Sequence, residues 1–306
     1  MKVDITTLSD LSKEQIDELF ANAREGKKKH KQGVYEPVLQ GKTAGLVFDK
    51  PSTRTRVSFE AAMIQLGGVP MYIQSGDTQI KRQEPVEDTA RVLSRYLDAL
   101  VVRTFSQEFV EDLAREASIP IINALTDMYH PCQVLSDLLT VIELKGGYEG
   151  VKIVWIGDGN NVAHSWISAA AILGLDLVLA CPDDHQPEQT VLDKVKNSSA
   201  GSVKVVSDPR EAAVGADVLY TDVWASMGQE EESDERMKSF EGYVVDQTLV
   251  NLAAKDVSVM HCLPAHRGEE ITAGVLEGPN SVVWDQAENK LHMHKAILDA
   301  LIRLWK

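Results

Sequence analysis

The chain has 306 residues, 46 of them acidic and 31 basic, for a formal net charge of −15. With 44% hydrophobic and 25% charged residues it has the composition of a folded protein rather than a disordered one. Its acidity argues against broad nucleic-acid binding and against a polybasic membrane anchor, both of which need clustered Lys and Arg.

At roughly 150 residues per domain, the length predicts two domains. The start, MKVDITTLSD, lacks the apolar core of a signal peptide, and no stretch approaches the roughly 20 apolar residues of a membrane span. The cysteines are Cys132, Cys181 and Cys262, with no CxxC pair, which fits a reduced, cytoplasmic setting. Lys27-Lys28-Lys29-His30-Lys31 follows a helix-like segment and reads as its solvated, positively charged end.

Short apolar runs then alternate with amphipathic stretches, the pattern of an α/β protein with mainly parallel sheets. Strands are expected at Thr43–Phe48, Val69–Ile73, Ala99–Arg103 and Ile119–Asn123. Further strands are expected at Val151–Ile156, Leu175–Ala180, Ser202–Val206, Asp217–Thr221, Ser258–Cys262 and Ser281–Trp284. Helices are expected at Thr53–Leu66, Val86–Leu97, Gln133–Leu144, Val162–Leu173 and, last, about Ala287–Trp305. The glycines of LKGGYEG (144–150) mark the domain boundary, and the acidic stretch 225–242 is long enough for a lid or binding loop.

Chemistry collects first in FDKPSTRTRVSFEAAMIQLGG (48–68). Ser52 stands at an N-cap position, Val57, Ala61 and Ile64 recur at helical spacing, and Gly67-Gly68 can stop the helix. The amides of Thr53, Arg54 and Thr55 are then donors at a helix start. With the hydroxyls of Ser52, Thr53 and Thr55 and the guanidiniums of Arg54 and Arg56, they make a site for a phosphate-like anion.

Other unusual residues fall at the same place, the carboxyl ends of strands. Arg103 closes ALVVR, and His130, Pro131, Cys132 and Gln133 open a helix. Asp158, Asn160 and Asn161 follow VKIVWIG, Asp222 ends DVLYTD and Cys262 ends VSVMHC. Each alone has a plain explanation: Asp222 serves equally as a cap, and Cys262 as a small buried hydrophobe. Their common placement points to one ligand cleft at the sheet edge. GDGNNV (157–162) has two glycines of a dinucleotide fingerprint but Val162 in place of the third, so a nicotinamide enzyme is disfavoured. The histidines at 261, 266, 292 and 294 form no compact set with Cys or carboxylates in the sequence, and no metal is expected.

The segments KPSTRTRVSFE, EDTARVLSRY, RTF, LTDMYHPCQ, GDGNNVAHS, DVWASMG, HCLPAHRGEE and AENK, in order along the whole chain, resemble the ornithine carbamoyltransferases. STRTR with HPxQ is shared by carbamoyltransferases in general. Asp222 with Ser226-Met227-Gly228, and HCLP at 261–264, point to the ornithine branch. The resemblance implies two doubly wound parallel-sheet domains, with a C-terminal helix returning to the first. Residues 1–145 plus 287–306 would bind carbamoyl phosphate and 146–286 ornithine, in a homotrimer with interfacial sites and no cofactor.

By the same resemblance, Ser52, Thr53, Arg54 and Thr55 hold the phosphate, and Gln79 reaches a neighbouring subunit's site. Arg103, His130 and Gln133, at a helix start with Pro131 and Cys132, bind and polarise the carbamoyl oxygen. Asn161, Asp222, Ser226 and Met227 hold ornithine's α-groups, while Cys262 and the Leu263 carbonyl lie beside the carbamoyl group and the δ-amine. Arg54, Arg103, His130, Asp222 and Cys262 carry the catalysis. At Lys290 the family usually has arginine, which puts a bidentate contact to carbamoyl phosphate in doubt. Putrescine, a modified ornithine, aspartate, or an inactive regulatory subunit remain as rival readings.

Overall fold

The computed structural model describes residues 2–74, 84–196, 201–225 and 233–305. The chain divides into two compact units, Met1–Leu139 with Glu288–Lys306, and Thr140–Ala287. The first holds parallel strands β1 (Thr43–Phe48), β2 (Val69–Gln74), β3 (Ala99–Arg103) and β4 (Ile121–Leu125), in the order β2-β1-β3-β4. Between them run α1 (Lys13–Lys31), α2 (Thr53–Gln65), α3 (Val86–Leu93) and α4 (Gln107–Glu116), before α5 (Pro131–Lys145) leaves the sheet.

The second unit holds β5 (Lys152–Ile156), β6 (Asp176–Ala180), β7 (Ser202–Val206), β8 (Val218–Thr221) and β9 (Ser258–His261), in the order β7-β6-β5-β8-β9. Its helices are α6 (Asn161–Leu173), α7 (Gln189–Lys196), α8 (Pro209–Ala213), α9 (Ser233–Ser239), α10 (Gln247–Leu252) and α11 (Ala273–Leu276). The chain closes with α12 (Val283–Asp299) and a π-helical turn, Ala300–Leu304. No helix among the described residues is long and apolar enough to cross a membrane.

The two-sheet α/β architecture is the one the sequence predicts. Both sheets are wholly parallel, so their inner strands carry near-continuous apolar runs such as Ala99–Val102, each residue fully buried. Each sheet also reverses its winding once, between β1 and β3 in the first unit and between β5 and β8 in the second. At such a switch point the crossover connections diverge to opposite faces and leave a crevice at the carboxyl ends.

Several expectations are corrected. Ser281–Trp284 is no strand: Ser281 makes one isolated bridge to Val259, and α12 begins at Val283. The fourth strand starts two residues later than expected, after Pro120, which lacks an amide for the ladder. The expected apolar face of α2 is reversed: Thr55, Phe59, Ala62 and Met63 face the core, while Val57 and Ile64 are 54% and 61% exposed. Seven residues of the expected long loop at 225–242, Ser233–Ser239, form the helix α9. In the basic end of α1, Lys27 is buried, with its ammonium donating to Asn289 Oδ1 at 2.8 Å.

Candidate active site

In the first unit the switch-point crevice is opened by α2. Ser52 is extended (φ −159°, ψ 117°) and its Oγ accepts from the Thr55 amide at 3.2 Å, which makes it the N-cap. That bond takes one of the three expected amides. Thr53 and Arg54 keep theirs, since first-turn amides have no intrahelical acceptor. The two arginines also separate. Arg56 Nε donates to Glu60 Oε1 at 2.9 Å, and its guanidinium lies 3.5 Å from the Tyr72 ring centroid. Arg54 is exposed and has no ion pair among the described residues, so it is the guanidinium available to an anion. Gly67, at φ 83°, ends the helix, and the Gly68 amide reaches back to Met63 O.

Arg103, across the switch point at the end of β3, is only 5% exposed. Val102 pairs with Asn123 but Arg103 pairs with Leu125, so Ala124 is bulged out of the β4 ladder, a device that re-aims side chains at strand ends. After β4, His130 precedes α5, whose first three residues are Pro131, Cys132 and Gln133. Burial first, then the positive charges of Lys290 and Arg103, hold the His130 imidazole well below its ordinary 6.5, so it is neutral at neutral pH. Burial pushes the Cys132 thiol up to about 12, and its Sγ donates to Asn123 O at 3.4 Å, so Cys132 stays a thiol turned to the backbone.

The buried Lys290 ammonium donates to Gln133 Oε1, and Gln133 Nε2 donates to Asp137 Oδ1 at 2.8 Å. The Gln133 amide is thus held with its oxygen toward a cation and its nitrogen toward a carboxylate. His294, also on α12, bonds Ser58 Oγ at 2.9 Å and stacks on Phe59. Neither Asp137 nor His294 stands out in the sequence, because a buried helical polar residue has no local mark.

In the second unit the crevice lies between the carboxyl ends of β5 and β8. Asn160 caps α6, its Oδ1 accepting from Val162 and Ala163 amides at 2.9 and 3.2 Å. Its Nδ2 donates to Asp222 Oδ2 at 2.9 Å. Asp222 Oδ1 accepts from the Val223 amide and from Cys262 Sγ, both at 2.8 Å. Asn161 is the first residue of α6. Gly159 has a packing role rather than a dinucleotide one: a Cβ there would lie 2.2 Å from Pro187 N. Gln79, Ser226 and Met227 lie outside the described residues.

Beside Asp222 is an ion pair that sequence reasoning missed. Arg236 of α9 donates to Asp158 Oδ2 and to Trp224 O, each at 2.5 Å. Burial, opposed by Arg236, pushes the Asp158 carboxyl up to about 7 from an ordinary 3.8. Between those values the folded chain holds a proton that the unfolded chain has released, so this group lowers stability as pH rises. Asp158→Asn is expected to flatten that fall in urea-unfolding free energy from about pH 4 to 7; a profile as steep as wild type would refute it.

The expectation that the histidines keep away from cysteine and carboxylate is corrected in its premise. Ligand atoms of Asp222, His261 and Cys262 lie within 4.8 Å of one another, as do those of His266, Glu269 and Glu270. The β8–β9 pairing brings Asp222 to the adjacent His261 and Cys262, whereas His266, Glu269 and Glu270 are already close along the sequence.

Residues 3–143 match the family model described as the carbamoyl-P binding domain of aspartate/ornithine carbamoyltransferase, and residues 149–301 match its Asp/Orn binding domain. The chain belongs to the aspartate/ornithine carbamoyltransferase family. Among relatives in this family, the ornithine carbamoyltransferase of Geobacter sulfurreducens is 55% identical over 97% of this chain and 98% of its own. The structure of ornithine carbamoyltransferase from Pyrococcus furiosus superposes with a TM-score of 0.93 at 49% identity, covering 98% of both chains. That of the anabolic ornithine carbamoyltransferase from Campylobacter jejuni gives 0.91 at 38%, covering 98% of this chain and 99% of its own.

Proposed function

We propose that the chain transfers the carbamoyl group of carbamoyl phosphate to the δ-amine of L-ornithine, giving L-citrulline and phosphate. The family accommodates aspartate and ornithine as acceptors, and the observation that chooses between them is Asp222. Its buried carboxylate, held by Asn160, Cys262 and the Val223 amide, is a receptor for an ammonium group and repels a substrate carboxylate.

In this reading the first unit, residues 1–145 plus 287–306, binds carbamoyl phosphate. Its phosphate is received by the Thr53 and Arg54 amides, the Ser52, Thr53 and Thr55 hydroxyls and the Arg54 guanidinium. Arg103, His130 and Gln133 meet the carbamoyl group, with Pro131 and Cys132 fixing the helix start and Lys290 orienting Gln133. Residues 146–286 bind ornithine through Asn161, Asp222, Ser226 and Met227. An alkylammonium has a pKa of about 10.4 in water, and the positive charge gathered around Arg54 and Arg103 favours its neutral form. The amine lone pair attacks the carbamoyl carbon, and Arg103 and neutral His130 donate to the oxyanion. The C–O bond then breaks, phosphate leaves with the electron pair, and one of its oxygens takes the amine proton. Cys262 and the Leu263 carbonyl lie beside the reacting nitrogen. No metal or organic cofactor enters these steps.

We also propose a homotrimer, cytoplasmic and working in the direction of arginine synthesis. The outward face of the first unit supports association: Val57 and Ile64 on α2 and Val69 and Met71 on edge strand β2 are exposed apolar side chains. The test of function is product formation from carbamoyl phosphate with ornithine, putrescine, N-acetylornithine or aspartate offered singly. Citrulline from ornithine alone is expected, and turnover of another acceptor would overturn the assignment of Asp222.

Lys290 gives a narrower expectation. Its ammonium donates to Gln133 from a buried position, whereas a guanidinium could keep that bond and present a second donor to the substrate. Lys290→Arg should lower the KM for carbamoyl phosphate, and a KM unchanged or raised would refute this.

A further inference from the structure

We infer that Glu270 is a positioning residue for the transfer step: acting through His261, it fixes the backbone of Leu263 beside Cys262. The inference rests on the proposed function, which places the Leu263 carbonyl at the reacting amine.

Among the described residues, Leu263 is the only non-glycine with a positive φ, at 59°. A side chain with a Cβ disfavours that conformation, so something must hold it there. The Leu263 amide donates to His261 Nδ1 at 2.8 Å. A nitrogen that accepts a hydrogen bond carries a lone pair, so the ring proton sits on Nε2. That nitrogen lies 2.9 Å from Glu270 Oε1 and donates to it. The same oxygen accepts from the His266 amide at 2.6 Å. His261 and Glu270 are 1% and 0% exposed, so water does not compete for these bonds. On the other side of the loop the His261 amide donates to Gln286 Oε1 at 3.0 Å, and Gln286 Nε2 donates to Tyr220 OH at 3.2 Å.

The pair works on the main chain and not on the thiol. Cys262 Sγ donates to Asp222, while both ring nitrogens of His261 are already bonded elsewhere. What Glu270 supplies is an acceptor: it fixes the tautomer, the tautomer leaves Nδ1 open, and Nδ1 holds the Leu263 amide. A glutamine in its place still offers an oxygen to both donors, and the His266 amide turns that oxygen the same way. A leucine offers none and lets the imidazole carry its proton on either nitrogen.

The test compares Glu270→Gln and Glu270→Leu in the full chain, with steady-state kinetics and 15N NMR of the histidine rings. Glu270→Gln should keep kcat within about threefold of wild type. Glu270→Leu should lower kcat by about 10²-fold, the scale of a displaced reacting group, with the KM for carbamoyl phosphate unchanged. In wild type and Glu270→Gln, His261 should show an unprotonated Nδ1 and a protonated Nε2; Glu270→Leu should show a mixture. Wild-type kcat in Glu270→Leu, an equal loss in both variants, or a protonated Nδ1 in the wild type would each overturn the inference. If Glu270→Leu does not fold, the Glu270→Gln rate and the wild-type tautomer decide it. A wild-type chain that makes no citrulline would instead remove the proposed function, with the tautomer still reporting on the hydrogen-bond chain.

Discussion

Arg103→Met is expected to lower kcat for citrulline formation by about 10²- to 10³-fold, the loss typical of one preorganised donor to a developing oxyanion. The reasoning starts from its position. Arg103 is the last residue of β3 and is buried, where a guanidinium is costly to keep unless it is compensated. The bulge at Ala124 sets the register at which its side chain leaves the sheet. Methionine keeps much of the apolar stem and removes the donors, so the strand should hold while the chemistry fails. Since the phosphate is assigned to the start of α2, the KM for carbamoyl phosphate should change far less than kcat. A variant with near wild-type kcat would show that Arg103 does not meet the oxyanion.

The second large effect is expected at Asp222. Asp222→Asn should raise the KM for ornithine by about 30- to 1,000-fold, the cost of removing one partner from a buried charged pair, about 2–4 kcal/mol. The loss exceeds that of charge alone. All three neighbours, Asn160 Nδ2, the Val223 amide and Cys262 Sγ, donate to this carboxylate. An asparagine amide must turn its NH2 toward one of those donors and leave it unsatisfied. Carbamoyl phosphate binding, measured by calorimetry without ornithine, should change far less, because its phosphate is assigned to the other unit. Unchanged ornithine KM would refute the ammonium-receptor role.

The sheets were legible because buried parallel strands are apolar nearly from end to end, and Thr43–Phe48 and Ala99–Arg103 stand where the sequence puts them. SVVW at 281–284 misled for the same reason. Its β-branched and aromatic residues favour a strand, but buried Val283 and the bonds of Gln286 to His261 and Tyr220 settle a helix start there. The face of α2 was misread because apolar spacing says that Val57 and Ile64 share a side, not that the side faces the core. Within the site, Ser52, Arg103, His130 and Asp222 announce themselves at strand ends. Their supports do not. Arg236 lies 78 residues from Asp158, and Glu270 is the second of two adjacent glutamates, distinguished only by where the β9 loop folds it.

Asn160 limits the freedom of the sequence in a way that neither of its roles would alone. As a helix cap, its position would accept serine, threonine, aspartate or asparagine with little change. As the neighbour of Asp222, it must also offer a donor, and offer it on a different atom from the one facing the Val162 and Ala163 amides. Aspartate has no donor when ionised and adds a second negative charge, and a hydroxyl has a single oxygen for both tasks. Of the four capping residues, only asparagine separates acceptor and donor onto two atoms, so the start of one helix and the charge receptor of the site share a single codon.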